Sequence, residues 1–209
     1  MILGIETSGP TASLALWENE ELFTVVGSEK PYSHAESLNM LLEIVTEAFP
    51  GSRVSLVALS VGPGLFTSLR AGASMAKALG MSWGVPVRGV GTLEALAVES
   101  GPGVVACALD ARKGEVYGAV YALKGETVTE VVPTGIYDPG EMRELASRAG
   151  ASLFSGSGAR AFGMAPFSGL DGPSAKTIAR LGAGGKSLDI MRFEPLYLRK
   201  PDAVVGGVS

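Results

Sequence analysis

Residues 57–72, VALSVGPGLFTSLRAG, place an unbroken apolar run before a Gly-Pro-Gly turn and a helix-like segment. An apolar run without alternating polar residues is typical of a strand covered on both faces, and we predict one over Val54–Val61. Glycines permit a tight turn, and the free N–H groups that begin a helix can meet an anion. The stretch therefore predicts a strand–turn–helix unit of an α/β fold, whose loop either contacts phosphate or only turns the chain.

The helix behind this loop, predicted over Thr67–Met81, carries an unusual number of small residues. Gly72, Ala76 and Gly80 recur every fourth position on one stripe, which lets another backbone approach closely. The loop itself lacks the Lys-Ser or Lys-Thr ending of a Walker A sequence, which weakens the phosphate interpretation. The stripe packs either on the protein's own sheet or on a partner helix. Neighbouring positions are also small: Ala71, Ser74 and Ala78.

A second helix, predicted over Ser33–Phe49, favours the partner interpretation. Its apolar arc spans roughly 200°, about twice what one buried face requires. Met40 and Ile44 extend the arc beyond a core-facing stripe, and a stripe this wide on a surface helix suggests a second packing partner. The core-facing stripe consists of Leu38, Leu41, Leu42, Val45, Ala48 and Phe49.

The order strand-strand-strand-helix-strand-helix occurs twice along the chain, which predicts two related lobes. We expect lobes over residues 1–100 and 101–200, followed by a mobile tail over residues 201–209. This order of elements predicts a mixed sheet with helices packed on it in each lobe. Two such lobes facing each other resemble the architecture of the actin, Hsp70 and sugar-kinase superfamily. Further strands are predicted over Ile2–Thr7, Thr11–Trp17, Glu21–Val26, Val85–Arg88, Val104–Asp110, Val116–Leu123, Thr129–Val132 and Ala151–Ser155. Further helices are predicted over Thr92–Val98, Pro139–Arg148 and Ser174–Ala183.

Composition excludes several classes of function. The 209 residues carry a net charge of −4 without a basic stripe, so the chain alone is a poor binder of nucleic acid. No apolar run approaches the length of a membrane span, and no signal-like segment follows Met1. The single Cys107 lies in an apolar run and is expected to be buried and inert. We expect a cytoplasmic protein.

Two hairpin-like turns carry the candidate cofactor-binding residues. Glu6, Thr7 and Ser8 lie where the first strand ends and its turn begins, and Asp110 ends a matching strand in the second half. In nucleotide-binding members of the actin superfamily, such turns contact phosphate and its metal. Ordinary hairpins have the same composition, and Arg112 could pair with Asp110, so a plain structural role stays open.

His34 is the only histidine, so no histidine pair is available to hold a transition metal. A Ser-His-Asp triad would have to use His34, and no nucleophile-elbow motif supports one. We therefore assign no catalytic residue and no metal site, and we expect His34 to be structural or interfacial.

Five motifs resemble the bacterial TsaB (YeaZ) family, and they run in order over nearly the whole chain. They are YSHAESL at 32–38, VALSVGPGLFTSLRAGASMAKALG at 57–80, GVGTLEALA at 89–97, ALDARKGEVYGAVY at 108–121 and PLYLRK at 195–200. The resemblance implies the two-lobed actin-like, ribonuclease H-like fold. It also implies a non-catalytic subunit that pairs with TsaD, the transferase that makes N6-threonylcarbamoyladenosine in tRNA.

In this family the pairing uses helices that match Ser33–Phe49 and Thr67–Met81, the ATPase TsaE joins the pair, and the chain alone commonly forms a homodimer. The resemblance implies tRNA contact only through the complex and no required cofactor. Glu6 replaces the aspartate usual in nucleotide-binding relatives, so at most weak ATP or ADP binding is expected. The alternative is a stand-alone ATP-binding phosphotransferase or hydrolase. Predicted partner-binding residues are His34, Leu38, Met40, Leu41, Ile44, Arg70, Gly72, Ala73, Ala76 and Gly80.

Overall fold

The computed structural model describes residues 1–18, 21–26, 34–48 and 53–199, and its strands form two mixed sheets. The strands are β1 Ile2–Glu6, β2 Ser13–Glu18, β3 Glu21–Val26, β4 Leu56–Ser60, β5 Val87–Val90, β6 Gly103–Asp110, β7 Val116–Lys124, β8 Thr127–Tyr137, β9 Leu153–Ser155 and β10 Lys186–Ser187. The helices are α1 His34–Ala48, α2 Phe66–Trp83, α3 Thr92–Ser100, α4 Pro139–Arg148, α5 Ser157–Ala161 and α6 Ala175–Gly182.

The first sheet has the strand order β10-β5-β4-β1-β2-β3, with β1 parallel to β4 and antiparallel to β2. Helices α1 and α2 cover one face, where their apolar side chains form one core with β1, β2 and β4. Every residue of β4 is buried, as the unbroken apolar run predicted. The α/β class with mixed sheets is therefore confirmed.

Helix α6 covers the opposite face of the first sheet, because small residues allow it to approach the strands closely. A Cβ atom on Gly4 would lie 2.2 Å from the carbonyl oxygen of Ala175, and one on Gly182 would lie 2.3 Å from Cβ of Ala58. We predicted that the two lobes divide at residue 100. In the structure, α6 packs on the first sheet and β10 pairs with β5 of that sheet, although both lie late in the chain, so the first lobe also includes these later residues.

The second sheet has the order β8-β7-β6-β9, with α4 and α5 on its outer face and α3 on its inner face. Helix α3 also contacts α6, so these two helices lie between the sheets. The carboxylate of Glu99, near the end of α3, accepts hydrogen bonds from Ser174 at the start of α6: 2.8 Å from the backbone N–H and 3.0 Å from the hydroxyl. Cys107 is fully buried, as predicted.

The structure differs from the sequence prediction mainly at short or irregular elements. Helix α5 and strand β10 have five and two residues and are too short for a periodicity to predict. Strand β8 extends over eleven residues although Pro133 and Gly135 interrupt its pattern. The predicted cap Ser33 and the predicted tail 201–209 lie outside the described residues.

No helix among the described residues combines the length and the hydropathy that crossing a membrane requires.

Candidate functional site

The two predicted hairpin turns meet at one cleft of about 420 Å³ between the sheets. Glu6 ends β1 and Asp110 ends β6, and both acids line this cleft. Three other segments close the cleft: the loop before α2 at Gly64 and Leu65, helix α5, and the segment before α6 at residues 171–173. Its lining consists of Glu6, Ser8, Gly9, Pro10, Thr11, Gly64, Leu65, Leu109, Asp110, Arg112, Ser157, Arg160, Ala161, Asp171, Gly172 and Pro173.

Glu6 is a buried acid with only half of its hydrogen-bonding capacity used. The residue is 3% exposed, and its Oε1 accepts bonds from the Ser8 hydroxyl and from the Ser8 backbone N–H at 2.6 Å. Oε2 has no hydrogen bond of normal geometry among the described residues, although the Ser60 hydroxyl lies near the carboxyl group. Burial raises the pKa of Glu6 to about 7, while hydrogen bonding from Ser8 and from the Ser60 hydroxyl opposes the rise. Glu6 is therefore partly protonated near neutral pH.

Thr7 does not line the cleft, which corrects its assignment as a cofactor-binding residue. It is fully buried beneath α2, where a Cβ atom on Gly72 would lie 2.3 Å from the Thr7 hydroxyl oxygen. Its backbone N–H donates to the hydroxyl of Ser60 at 3.3 Å. The Thr7 hydroxyl is thus directed at the helix and away from any ligand in the cleft.

Asp110 is held mainly by its own turn. Its Oδ1 accepts a 2.8 Å bond from the backbone N–H of Arg112, while the Arg112 guanidinium lies 3.9 Å from Oδ2. Arg112 and Lys113 adopt left-handed φ values of 65° and 56°, which turn the chain sharply between β6 and β7. The pairing of Asp110 with Arg112 is therefore present, but it is long and partly exposed.

The Gly-Pro-Gly loop makes a tight turn that packs against the backbone of Ser8. A Cβ atom on Gly64 would lie 2.4 Å from the carbonyl oxygen of Ser8, so only glycine permits this approach. The backbone N–H of Leu65 donates to that same carbonyl at 2.8 Å and is not available to an anion.

The side chains that line the cleft offer no unpaired cation to the polyphosphate of ATP or ADP. Phosphate sites offer free N–H groups or unpaired cations, whereas the Arg160 Nε lies 2.9 Å from Asp171 and Arg112 is paired with Asp110. The buried Glu6 carboxyl adds an acceptor where phosphate oxygens would also be acceptors.

The exposed face of α1 and α2 is the second candidate site, and it carries only part of the predicted partner surface. Met40 and Ile44 on α1 are 53% and 42% exposed, and Met81 on α2 is 62% exposed. Arg70 is exposed and lies over the ring of Phe66, with its guanidinium carbon 4.7 Å from the centroid. The other exposed α2 residues are small or polar: Thr67, Ser74, Ala78 and Ser82.

Five predicted partner residues face the protein's own core and are corrected here. Leu38 and Leu41 are each 1% exposed and pack in the core of the first lobe. Gly72, Ala76 and Gly80 are buried on the sheet side of α2; a Cβ atom on Gly80 would lie 2.7 Å from Cγ2 of Val87.

Two further predicted partner residues complete the comparison. Ala73 is half-buried and packs against the core of the first lobe. His34 begins α1, and its side chain lies outside the described part of the structure.

Sequence reasoning missed the far wall of the cleft. Arg160 lies on the five-residue α5, and Asp171 lies in the connection that follows it. The turn signal Asp171-Gly172-Pro173 predicts a loop, but nothing in it predicts which cleft the loop closes.

Comparison with known proteins finds relatives over nearly the whole chain. A family model described as TsaD, tRNA N6-adenosine threonylcarbamoyltransferase, matches residues 28–204. The TsaB protein of Escherichia coli, a tRNA threonylcarbamoyladenosine biosynthesis protein, is 31% identical over 95% of this chain and 94% of its own length. An uncharacterized protein of Mycobacterium tuberculosis is 32% identical over 97% of this chain and 93% of its own length.

Solved structures support the same fold. The crystal structure of a Pseudomonas aeruginosa protein, described as similar to the peptidase YEAZ, has a TM-score of 0.83 at 25% identity and covers 95% of this chain and 99% of that one. The two sheets, the cleft between them and the matched family model define a TsaD-like protein with the actin-like, ribonuclease H-like fold. Within that class, the chain belongs to the TsaB (YeaZ) family.

Proposed function

We propose that this chain is a non-catalytic subunit of the machinery that makes N6-threonylcarbamoyladenosine in tRNA, and that it pairs with a TsaD-like catalytic subunit. The match of nearly the whole chain to a TsaB named for this biosynthesis supports involvement in the pathway. The match to a TsaD family model supports a fold shared by the two subunits, which favours a pseudo-symmetric pair.

The observation that carries the pairing is the exposed apolar surface on two adjacent helices. Met40, Ile44 and Met81 are large apolar side chains that the first lobe leaves uncovered. Ser74 and Ala78 on α2 are small and exposed, and they would let a partner helix approach closely. We propose that a TsaD-like subunit covers this surface, and that a second copy of this chain covers it when TsaD is absent.

In this proposal, other chains of the complex provide tRNA binding and ATP turnover. An acidic protein without a basic stripe does not neutralise the phosphates of tRNA, so tRNA binds through the complex. A TsaE-like ATPase joins the pair and supplies ATP turnover.

The alternative is an enzyme acting alone, either an ATP-dependent phosphotransferase or hydrolase or a peptidase. The paired guanidinium groups in the cleft disfavour a polyphosphate substrate. The sequence has one histidine, His34, and no nucleophile-elbow motif, so it gives no support to a Ser-His-Asp peptidase. Robust ATP turnover by the purified chain, lost in Glu6→Gln, would favour the enzyme over the subunit.

Co-purification with the TsaD-like subunit of the same organism tests the proposal. We expect Ile44→Lys and Met81→Lys each to weaken the pair more than tenfold, because each buries a charge in an apolar contact. Val131→Lys is the matched control, since Val131 is 45% exposed on β8 in the other lobe and should leave the pair intact.

Two outcomes would contradict the proposal, one for the location of the surface and one for the role of the chain. If both α1 and α2 variants bind the catalytic subunit as well as the control does, the surface has been misplaced. If tRNA threonylcarbamoylation reconstituted from the catalytic subunit, the ATPase and the donor proceeds fully without this chain, the proposed role itself is wrong.

A further inference from the structure

The cleft between the sheets has the size and walls of a small-molecule site. Its volume of about 420 Å³ lies within the range of roughly 300–1,000 Å³ found for ligand pockets. Apolar groups form much of its surface, and polar groups reach it at a few points. The apolar lining includes Pro10, Leu65, Leu109, Ala161 and Pro173.

Glu6 lines this cleft, and one of its two carboxylate oxygens has no hydrogen bond of normal geometry with the described residues. Its Oε1 takes both bonds that Ser8 donates, and the oxygen without such a bond is Oε2. The residue is only 3% exposed and Oε2 is itself buried, so water does not readily replace the missing donor. A ligand donor therefore reaches Oε2 when the Glu6 side chain turns towards the cleft, and it would then satisfy an atom that the protein leaves unsatisfied.

The charges around the cleft favour a ligand with positive charge. Three carboxylates and two guanidinium groups line it. Arg160 pairs with Asp171 at 2.9 Å, and Arg112 lies 3.9 Å from Asp110. Glu6 is therefore the carboxylate that no described cation neutralises.

We infer that the cleft binds a small organic cation, a primary amine or a guanidine, whose charged head pairs with Glu6 and whose apolar body lies against Leu65 and Leu109. An ammonium or guanidinium group consists only of donors, which is what Oε2 lacks. A nucleoside polyphosphate would bring acceptors and further negative charge to the same place. The inference therefore replaces the nucleotide expected from the fold, and it is independent of the proposed role in tRNA modification.

Binding should depend on pH because Glu6 must be ionised to pair with the ligand. Besides the four cleft charges named above, Glu99 on α3 faces Glu6 and raises its pKa. On the other helices packed on the first sheet, Arg70 of α2 lies over Phe66, and Lys176 of α6 is exposed. With a pKa of about 7, Glu6 is about one-tenth ionised at pH 6 and about nine-tenths ionised at pH 8, so affinity should rise about tenfold between them.

Isothermal titration calorimetry with four probes tests the inference. Phenethylamine supplies the ammonium head, 2-phenylethanol a neutral head and 3-phenylpropionate an anionic head on the same aromatic body; Mg·ATP is the fourth probe. We expect phenethylamine to bind about tenfold or more tighter than the alcohol and the acid at pH 8. At pH 6 its binding should release nearly one proton, measured as a dependence of the heat on the buffer.

Three variants locate the site. Glu6→Gln should lose phenethylamine binding and its pH dependence, because the amide keeps the shape without the charge. Ala161→Phe adds a ring at an exposed rim position and should block the cleft without disturbing the core. Glu144→Gln, an equally conservative change at an exposed position on α4, should bind as the wild type does.

The outcomes separate the alternatives. Equal binding of the three aromatic probes, or unchanged amine binding in Glu6→Gln or Ala161→Phe, would overturn the inference. Binding of Mg·ATP in place of the amine would return the cleft to a nucleotide. If Glu6→Gln fails to fold, three measurements still test the inference: the relative affinities of the amine, alcohol and acid probes, the proton release at pH 6, and binding of the amine to Ala161→Phe.

Discussion

Replacing Glu6 by Gln should change how stability depends on pH, even without a ligand. In the folded protein burial raises the pKa of Glu6 from 4.5 to about 7. Between these values the folded state binds more protons than the unfolded state, so this group costs nothing below pH 4.5 and destabilises the fold increasingly as pH rises towards 7. Over that window the cost amounts to about 3 kcal/mol, at about 1.4 kcal/mol per unit.

Glutamine removes the titration and keeps most of the local structure. Its Oε1 can still accept both Ser8 bonds, while its Nε2 replaces the unpartnered Oε2 and leaves buried donors unsatisfied, at about 1–3 kcal/mol that does not vary with pH. We therefore expect Glu6→Gln to be less stable than the wild type at pH 5. At pH 8 the difference should have shifted in favour of the variant by about 2–3 kcal/mol.

Urea unfolding at pH 5, 6, 7 and 8, followed by circular dichroism and linear extrapolation, measures this shift. Other titrating groups are common to both proteins and cancel in the difference. Glu144→Gln, whose side chain is 72% exposed on α4, is the control for removing a carboxylate without changing a buried site. A difference between Glu6→Gln and wild type that stays constant with pH would refute the reasoning, because desolvation of Glu6 would then not set its ionisation.

Three further predictions test the packing of the fold. Gly72→Leu should destabilise the protein by about 3 kcal/mol or more in urea unfolding, because its Cβ alone would lie 2.3 Å from the Thr7 hydroxyl; Ala78→Leu, at an exposed position on the same helix, should change stability by less than about 0.5 kcal/mol. Cys107 should not react with Ellman's reagent until urea unfolds the protein, because the thiol is fully buried and burial raises its pKa; a native-state reaction would contradict the packing. Glu99→Ala should cost about 1–3 kcal/mol through the two lost Ser174 bonds, and an unchanged unfolding midpoint would show that they contribute nothing.

The sequence predicts well where hydrophobic contrast is strong. Strand β4 is apolar at every position but its last, and it is buried at every position. Glu6 and Asp110 could be paired in advance because each ends an apolar strand before a hairpin turn, and both line one cleft. When the apolar strands can be predicted from the sequence, the polar residues at their ends can therefore be predicted as well.

The same reasoning fails where neighbouring positions look alike. On α2, Gly72 and Ser74 are both small, so no hydrophobic contrast indicates that Gly72 faces the sheet and Ser74 faces solvent. Helix α6 carries a strong apolar face, but no periodicity indicates that it packs on the first sheet. The small partners of that packing, Gly4 and Ala58, are recognised only once the topology is known.

The cleft and the proposed partner surface share a structural wall, and this decides which substitutions can separate their roles. Glu6 lines the cleft, the next residue Thr7 is buried under α2, and Gly72 meets its hydroxyl from the helix side. A larger residue at position 72 would therefore displace the turn that holds Glu6 as well as the helix that carries the exposed surface. Loss of partner binding in such a variant would not locate the interface. Ile44 and Met81 make that distinction, since both are exposed and neither lines the cleft.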